Sequence, residues 1–300
     1  MQSIRGKIRM KKLIAQIVAA TLILIRFASA QTDSSESFLS EVAAQWLTDA
    51  VGDTGRTAVN SVFMIIATKT QKKGTGFALL KGPVITNEHV IRNSRSSEVI
   101  ALSSKGDTIR FVAILTDSVR DLAALIMNKP LSTGLLLGAD SLLKVGSIVS
   151  TWGYPLWYSS PPPLLSVGYL SGFRAHRPRQ SQGKIVKRLV VNGAFNPGNS
   201  GGPLFQSQSN RVVGIVVEKA IPSFNRFERI IVDSMASNNE WGTFWSLTDD
   251  QGKSAEYPET QLLARMFNQL REMNQTVIGE GITVSELRAF LSEKKIAEPN

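Results

Sequence analysis

Three hundred residues, 43% of them apolar, make a chain long enough for one or two domains with a substantial core. The formal net charge of +10 suggests a nucleic-acid partner, but residues 1–30 hold six bases (Arg5, Lys7, Arg9, Lys11, Lys12, Arg26) and no acid, leaving 28 basic against 24 acidic groups elsewhere. Without cysteine there is no disulfide framework. Two histidines in unlike settings and no cysteine argue against a zinc site, and neither a metal nor a cofactor is expected.

The basic start leads into an apolar run over residues 13–25 and then Ala28-Ser29-Ala30, the order of a secretory signal peptide over residues 1–30. The run's 13 residues are short for a membrane span of ~20. Arg26 is atypical beside a cleavage site and keeps an uncleaved anchor open; after cleavage no stable span is expected. The reading is a periplasmic or secreted bacterial protein whose stability comes from its core. Residues 31–54 form an N-terminal helical segment: Phe38, Leu39, Val42, Ala43, Trp46, Leu47 and Ala50 recur at helical spacing. Such a helix packs on its own domain or, through Phe38 and Trp46, on another copy.

Short strands follow over residues 60–68, 74–80, 84–86, 97–102, 108–116, 123–127 and 146–152, separated by Gly, Asn, Ser and Asp clusters. This cadence predicts an all-β barrel or sandwich. Residues 155–164 are proline-rich and stiff, and residues 174–184 form a basic loop expected to be solvated. Between residues 219 and 275 lie two aromatic clusters and an amphipathic helix over 259–273, with Leu262, Leu263, Met266, Phe267, Leu270 and Met273 on one face. A final helix is expected over 284–295.

The chemistry centres on Gly198-Asn199-Ser200-Gly201-Gly202-Pro203, a tight reversal between apolar strands. Gly198 can turn its N–H toward the space that the N–H of Ser200 faces, and two converging amides hold a developing oxyanion. Taken alone, the stretch is equally a Gly-rich hairpin turn with an incidental serine. A serine nucleophile needs a base and a group that orients the base. His89 ends the β-branched run Val84-Ile85-Thr86-Asn87-Glu88-His89, whereas His176 lies among arginines. Asp121 opens the apolar run Leu122-Ala123-Ala124-Leu125. Its competitors are Asp117, Asp107 and Asp140, the last two in turn contexts; Glu88 is read as solvated.

The ordered motifs Thr86-Asn87-Glu88-His89-Val90, Asp121-Leu122-Ala123 and Gly198-Asn199-Ser200-Gly201-Gly202-Pro203 resemble the trypsin-like serine proteases, most of all the HtrA/Deg branch. Gly74-Thr75-Gly76-Phe77, Gly153-Tyr154-Pro155 and Gly279-Glu280-Gly281-Ile282-Thr283 extend the resemblance over most of residues 55–295. It implies a mainly β fold of two six-stranded antiparallel barrels over residues 55–298 with a C-terminal helix. The triad is then His89, Asp121 and Ser200, with the amides of Gly198 and Ser200 as oxyanion hole. The residue at the base of the specificity pocket is Ala194; Phe195, Val216 and Val217 complete an apolar wall suited to small or medium side chains. The substrate is an unfolded polypeptide, and the N-terminal segment is a candidate trimer contact.

Two features depart from the family. The insertion at about 219–275 replaces a short connection, and the last helix leaves no room for the PDZ domain that such enzymes commonly carry, so regulation is expected to differ. Two other readings stand beside the endopeptidase: a protease-fold binding or chaperone protein with latent or no turnover, and an esterase or amidase. The latter is weakened by the absence of a Gly-x-Ser-x-Gly elbow on an α/β sheet.

Overall fold

The computed structural model describes residues 42, 43, 45, 47, 49–158, 160–178, 181, 183–193, 195–206, 211–219, 226–237, 242–248, 254–273 and 278–298. The expected signal peptide and Phe38 and Trp46 lie outside these residues. The described positions between 42 and 50 are helical, and Leu47 and Val51 pack on the domain core. A helix not read from the sequence, α1 (Asp53–Ser61), follows and buries Ala58 and Val59.

The first half is a seven-stranded antiparallel sheet built from β1 (Val62–Ala67), β2 (Lys72–Ala78), β3 (Val84–Thr86), β4 (Val99–Leu102), β5 (Thr108–Arg110), β6 (Ala113–Asp117) and β7 (Leu122–Ile126). Its order is β5-β4-β1-β2-β3-β7-β6, so it is not a hydrogen-bonded closed barrel as expected. Its two edges are consecutive in the chain. The stretch 108–116, read as one strand, breaks at Phe111 and Val112: Phe111 turns into the core while Val112 N–H bonds Ile126 O (2.8 Å). The sheet therefore curls until its edges meet through the covalent chain, giving a half-open counterpart of the six-stranded form.

The second half is a closed barrel of β8 (Ile148–Gly153), β9 (Leu164–His176), β10 (Val186–Gly193), β11 (Pro203–Gln206), β12 (Arg211–Lys219) and β15 (Ile278–Thr283), in the order β10-β15-β12-β11-β8-β9. The insertion lies between β12 and β15, which are themselves paired, Lys219 opposite Gly279. It leaves and re-enters the barrel at one point, so the barrel closes without it. Its described part is helix α3 (Arg226–Ser237), the hairpin β13 (Phe244–Thr248) and β14 (Ser254–Pro258), and helix α4 (Glu259–Met273), as its spacing predicted. Here α3 packs against α4, while Phe244 and Phe267 are exposed. Among the described residues no helix is long and apolar enough to cross a membrane.

Period-two alternation divides the core into three. In β1, Phe63 and Ile65 fill the first sheet's interior while Val62 and Met64 face the second barrel. In β12, Val213 and Val216 point into the second barrel and Val212, Ile215 and Val217 face the first. A helix, α5 (Val284–Glu293), closes the interface with Val284, Leu287, Phe290 and Leu291, each buried apolar side chain contributing about 1.5–3 kcal/mol. Thr283, at its N-cap, makes no side-chain cap; Asp140 Oδ1 accepts instead from Ser285 N (3.0 Å) and from its hydroxyl.

Candidate active site

A one-turn helix, α2 (Glu88–Ile91), follows β3 directly, so the strand aims His89 at the seam between the two halves. Asp121 lies one residue before β7, the neighbour of β3, with a left-handed backbone (φ +60°). Both its carboxylate oxygens meet His89: Oδ2 lies 2.7 Å from Nδ1 and Oδ1 accepts the backbone N–H at 2.9 Å. The Asp121 carbonyl accepts from Asn87 Nδ2 (2.9 Å) and from Glu88 N (3.3 Å). A carboxylate on Nδ1 leaves Nε2 as the basic nitrogen. His89 is 35% exposed at its side chain against 15% for Asp121, so the base is reachable and its partner shielded.

The competing acids are committed elsewhere. Asp117 binds Arg120, Asp107 closes a turn with Ser103, and Asp140 caps α5 and pairs with Lys187 (3.1 Å). Glu88 is not solvated as expected: it is 7% exposed and holds Arg92 in a two-pronged ion pair, because α2 buries that turn. His176 ends β9 beside Arg174 and Arg188; burial and the two guanidiniums push its imidazole below the usual range.

Ser200 sits on the loop between β10 and β11, docked against the segment that carries His89. Its carbonyl accepts Thr75 N–H (2.8 Å), and a Cβ on Gly74 would meet both Val90 (2.7 Å) and Ser200 O (3.1 Å). Gly201, at φ +87°, lies so close that a Cβ would stand 2.1 Å from Thr75 O and 2.3 Å from Thr86 Oγ1. Only glycine fits at both places. The Ser200 hydroxyl donates to Val217 O at 2.5 Å, and no bond to His89 is made among the described residues. Val217 is the extra residue where the β12–β15 register shifts, and the bulge turns it out of the ladder.

The two peptide units that flank Gly198 are each held by a hydrogen bond. Pro197 O accepts from Leu156 N–H (2.8 Å), and Gly198 O accepts from the Thr75 hydroxyl (2.7 Å). Thr75 Oγ1 in turn accepts Tyr154 N–H (3.0 Å). In a trans peptide the carbonyl and the following N–H point opposite ways, so the Pro197 bond aims Gly198 N–H away from residues 154–156. The left-handed φ of Gly198 (+99°) and the 2.4 Å from its would-be Cβ to Tyr154 O require glycine here. Thr75 and Tyr154 were visible in the sequence only as parts of matching motifs, without a role.

Of the residues read as a specificity pocket, Ala194 lies outside those described. Phe195 (2% exposed) and Val216 are buried in the second barrel, with the Phe195 ring over Gly279 (2.2 Å from its would-be Cβ); Val217 packs at the interface.

Residues 74–215 match the family profile described as the trypsin-like peptidase domain. Over that stretch the chain is similar to a trypsin-like peptidase domain. Among named relatives, the probable periplasmic serine endoprotease DegP-like of Pseudomonas savastanoi pv. phaseolicola is 35% identical over 149 residues, covering 49% of this chain and 29% of that protein. Serine protease Do-like HtrB of Bacillus subtilis is 33% identical over 138 residues, covering 45% and 29%. This chain thus spans about a third of the length of such relatives. The active form of the Rv3671c protease from M. tuberculosis superposes on the peptidase domain and its surroundings with a TM-score of 0.55 at 17% identity, covering 83% of this chain and 86% of that one. At that identity the likeness is one of fold: mainly β, one barrel closed and one half-open.

Proposed function

We propose that the chain is an exported serine endopeptidase that cleaves unfolded polypeptides. The observation that carries this reading is the pairing of His89 Nδ1 with Asp121 at 2.7 Å beside a serine loop whose glycines leave no room for a side chain. Rotation of the Ser200 side chain exchanges its bond to Val217 O for one to His89 Nε2. The hydroxyl then attacks the scissile carbonyl carbon as its proton passes to Nε2, and the amides of Gly198 and Ser200 hold the oxyanion. Collapse breaks the C–N bond and returns the proton to the leaving amine; water, activated by His89, then releases the acyl group.

Substrate selection rests on two elements. Up to Ile215, β12 is paired with β11, and Val216 is tied to Gly201 and Gly202. From Val217 onward that edge is where an extended peptide adds as a strand. The pocket attributed to Ala194, Phe195, Val216 and Val217 has its volume reduced by Phe195 wedged against Gly279, which favours small apolar side chains. Phe195→Ala, which removes a whole phenyl ring, is expected to shift preference toward larger residues by at least the roughly 10–200-fold that one methylene is worth. The periplasmic name of the Pseudomonas relative supports export. A trimer through the N-terminal segment is checked by light scattering on the chain with and without residues 31–51.

The deciding test is reaction of the purified protein with a fluorophosphonate, beside Ser200→Ala. Labelling of wild type alone, with peptide cleavage faster than cleavage of simple esters, is the expected result. A Ser200→Ala protein that still cleaved peptides would overturn the reading.

A further inference from the structure

We propose that Lys73, on β2 of the first sheet, is a positioning residue for the oxyanion hole: it holds residues 155–158, from which Leu156 N–H fixes the Pro197–Gly198 peptide. The inference rests on the endopeptidase reading for its consequence but not for its geometry.

Lys73 Nζ donates to Pro155 O (3.0 Å) and to Tyr158 O, so one ammonium ties to β2 both ends of a four-residue turn that Tyr158 N–H closes on Pro155 O (2.9 Å). Between those anchors, Leu156 N–H donates to Pro197 O (2.8 Å). The main chain of Leu156 therefore lies in a span tethered on each side, although the Leu156 and Trp157 side chains are largely exposed and bring little packing of their own. Were the span to drift, Pro197 O would lose its donor and the peptide could turn over, presenting a carbonyl where the oxyanion needs an N–H.

The choice of residue supports a task beyond filling space. Lys73 is half-buried, and among the described residues both its bonds go to main-chain carbonyls, with no carboxylate opposite. Burial pushes its ammonium down to about 8. An amine so placed costs stability that an apolar side chain would not, yet only a multi-donor group reaches two carbonyls at once. Thr75, two residues on, donates to Gly198 O, the carbonyl of the next peptide unit, and accepts Tyr154 N–H. One strand thus holds both the segment that fixes Pro197 O and the peptide that follows Gly198.

The test compares wild type, Lys73→Met and Lys73→Arg as full chains. Amide hydrogen exchange over residues 153–160 and 195–203 is expected to accelerate in Lys73→Met and return toward wild type in Lys73→Arg, with the rest of both barrels unmoved. This readout needs no turnover. Fluorophosphonate labelling and kcat are expected to fall about 10–100-fold in Lys73→Met, below the 10²–10³ of an oxyanion donor removed outright, while KM moves less than about twofold. Exchange and labelling equal to wild type would overturn the proposal. So would acceleration spread over both barrels without rescue by arginine, which marks a merely structural lysine. A wild type that takes no probe overturns the endopeptidase reading alone, and exchange still decides Lys73.

Discussion

The two halves of the site are held in different ways. His89 and Asp121 come from neighbouring strands of one sheet, and four hydrogen bonds between residues 87–89 and Asp121 tie them directly. Ser200 and Gly198 lie on a loop of the second barrel whose main chain is held from within its own half, by Val216 and Leu156, and from the other half by Thr75 of the first sheet. The base and its partner are set when the first sheet folds. The nucleophile loop is completed only when the halves dock and Thr75 binds Ser200 O and Gly198 O, so it is the more sensitive to any change at the interface.

That contrast is broken most severely at the chemistry itself. Ser200→Ala and His89→Ala are each expected to lower kcat by on the order of 10⁶, and the double variant by no more, because nucleophile and base act as one unit. Additive losses in steady-state kinetics would show that the two halves work separately.

The docking contact comes next. Arg120, 4% exposed, precedes Asp121 and reaches Asp117 in its own sheet together with Glu286 and Glu293 of α5. Arg120→Met leaves those carboxylates crowded without their cation. The expected cost is about 3 kcal/mol, the lower end for a broken buried pair because Glu293 is half exposed. Chemical denaturation measures it. A change below ~0.5 kcal/mol would mean that α5 is held by its apolar face alone.

On the loop side, Gly198→Ala places a methyl 2.4 Å from Tyr154 O at a backbone angle disfavoured for alanine. It is expected to lower labelling by about 10²–10³, the worth of one oxyanion donor, with the fold intact by circular dichroism. Unchanged labelling would show that Gly198 N–H is not used.

The smallest effect expected is on acid stability. Hydrogen bonding to Arg120 holds Glu293 down to about 2 from an ordinary 4.5. Burial opposes ionisation of Asp117, but the Arg120 backbone and guanidinium and Val119 N–H outweigh it and hold it low. Groups with depressed folded-state values stabilise fully above their unfolded values and lose that contribution as pH falls through the folded ones. Melting temperatures should therefore be flat from pH 7 to about 5 and fall below it, less steeply in Arg120→Met. Equal slopes would place acid sensitivity elsewhere.

Much of this was legible in local pattern. The strands at 84–86 and 123–127 were read to within one residue because short apolar runs bounded by polar residues suit a buried sheet. The helix at 259–273 was read in full from its apolar spacing. Local pattern misread the turn at Glu88, whose charge implied solvent while its partner Arg92 allowed burial. It read one strand where Phe111 and Val112 break two, since only the curl of the sheet requires the bend. Helix Asp53–Ser61 was missed because its signal is Ala58 and Val59 packing on the domain core, not a capping motif.

By itself, the sequence determined which residues are chemically able to act: one histidine in a positioned context, one acid opening a buried run, one serine among glycines. These choices depend on residue type and near neighbours. Only the tertiary structure decided that both Asp121 carboxylate oxygens meet His89, that Leu156 and Thr75 hold the peptides on either side of Gly198, and that the Ser200 hydroxyl rests on Val217 O. Those contacts join groups from about 17 to 123 positions apart in the chain, and no local preference encodes a distance that exists only after two sheets have closed on each other.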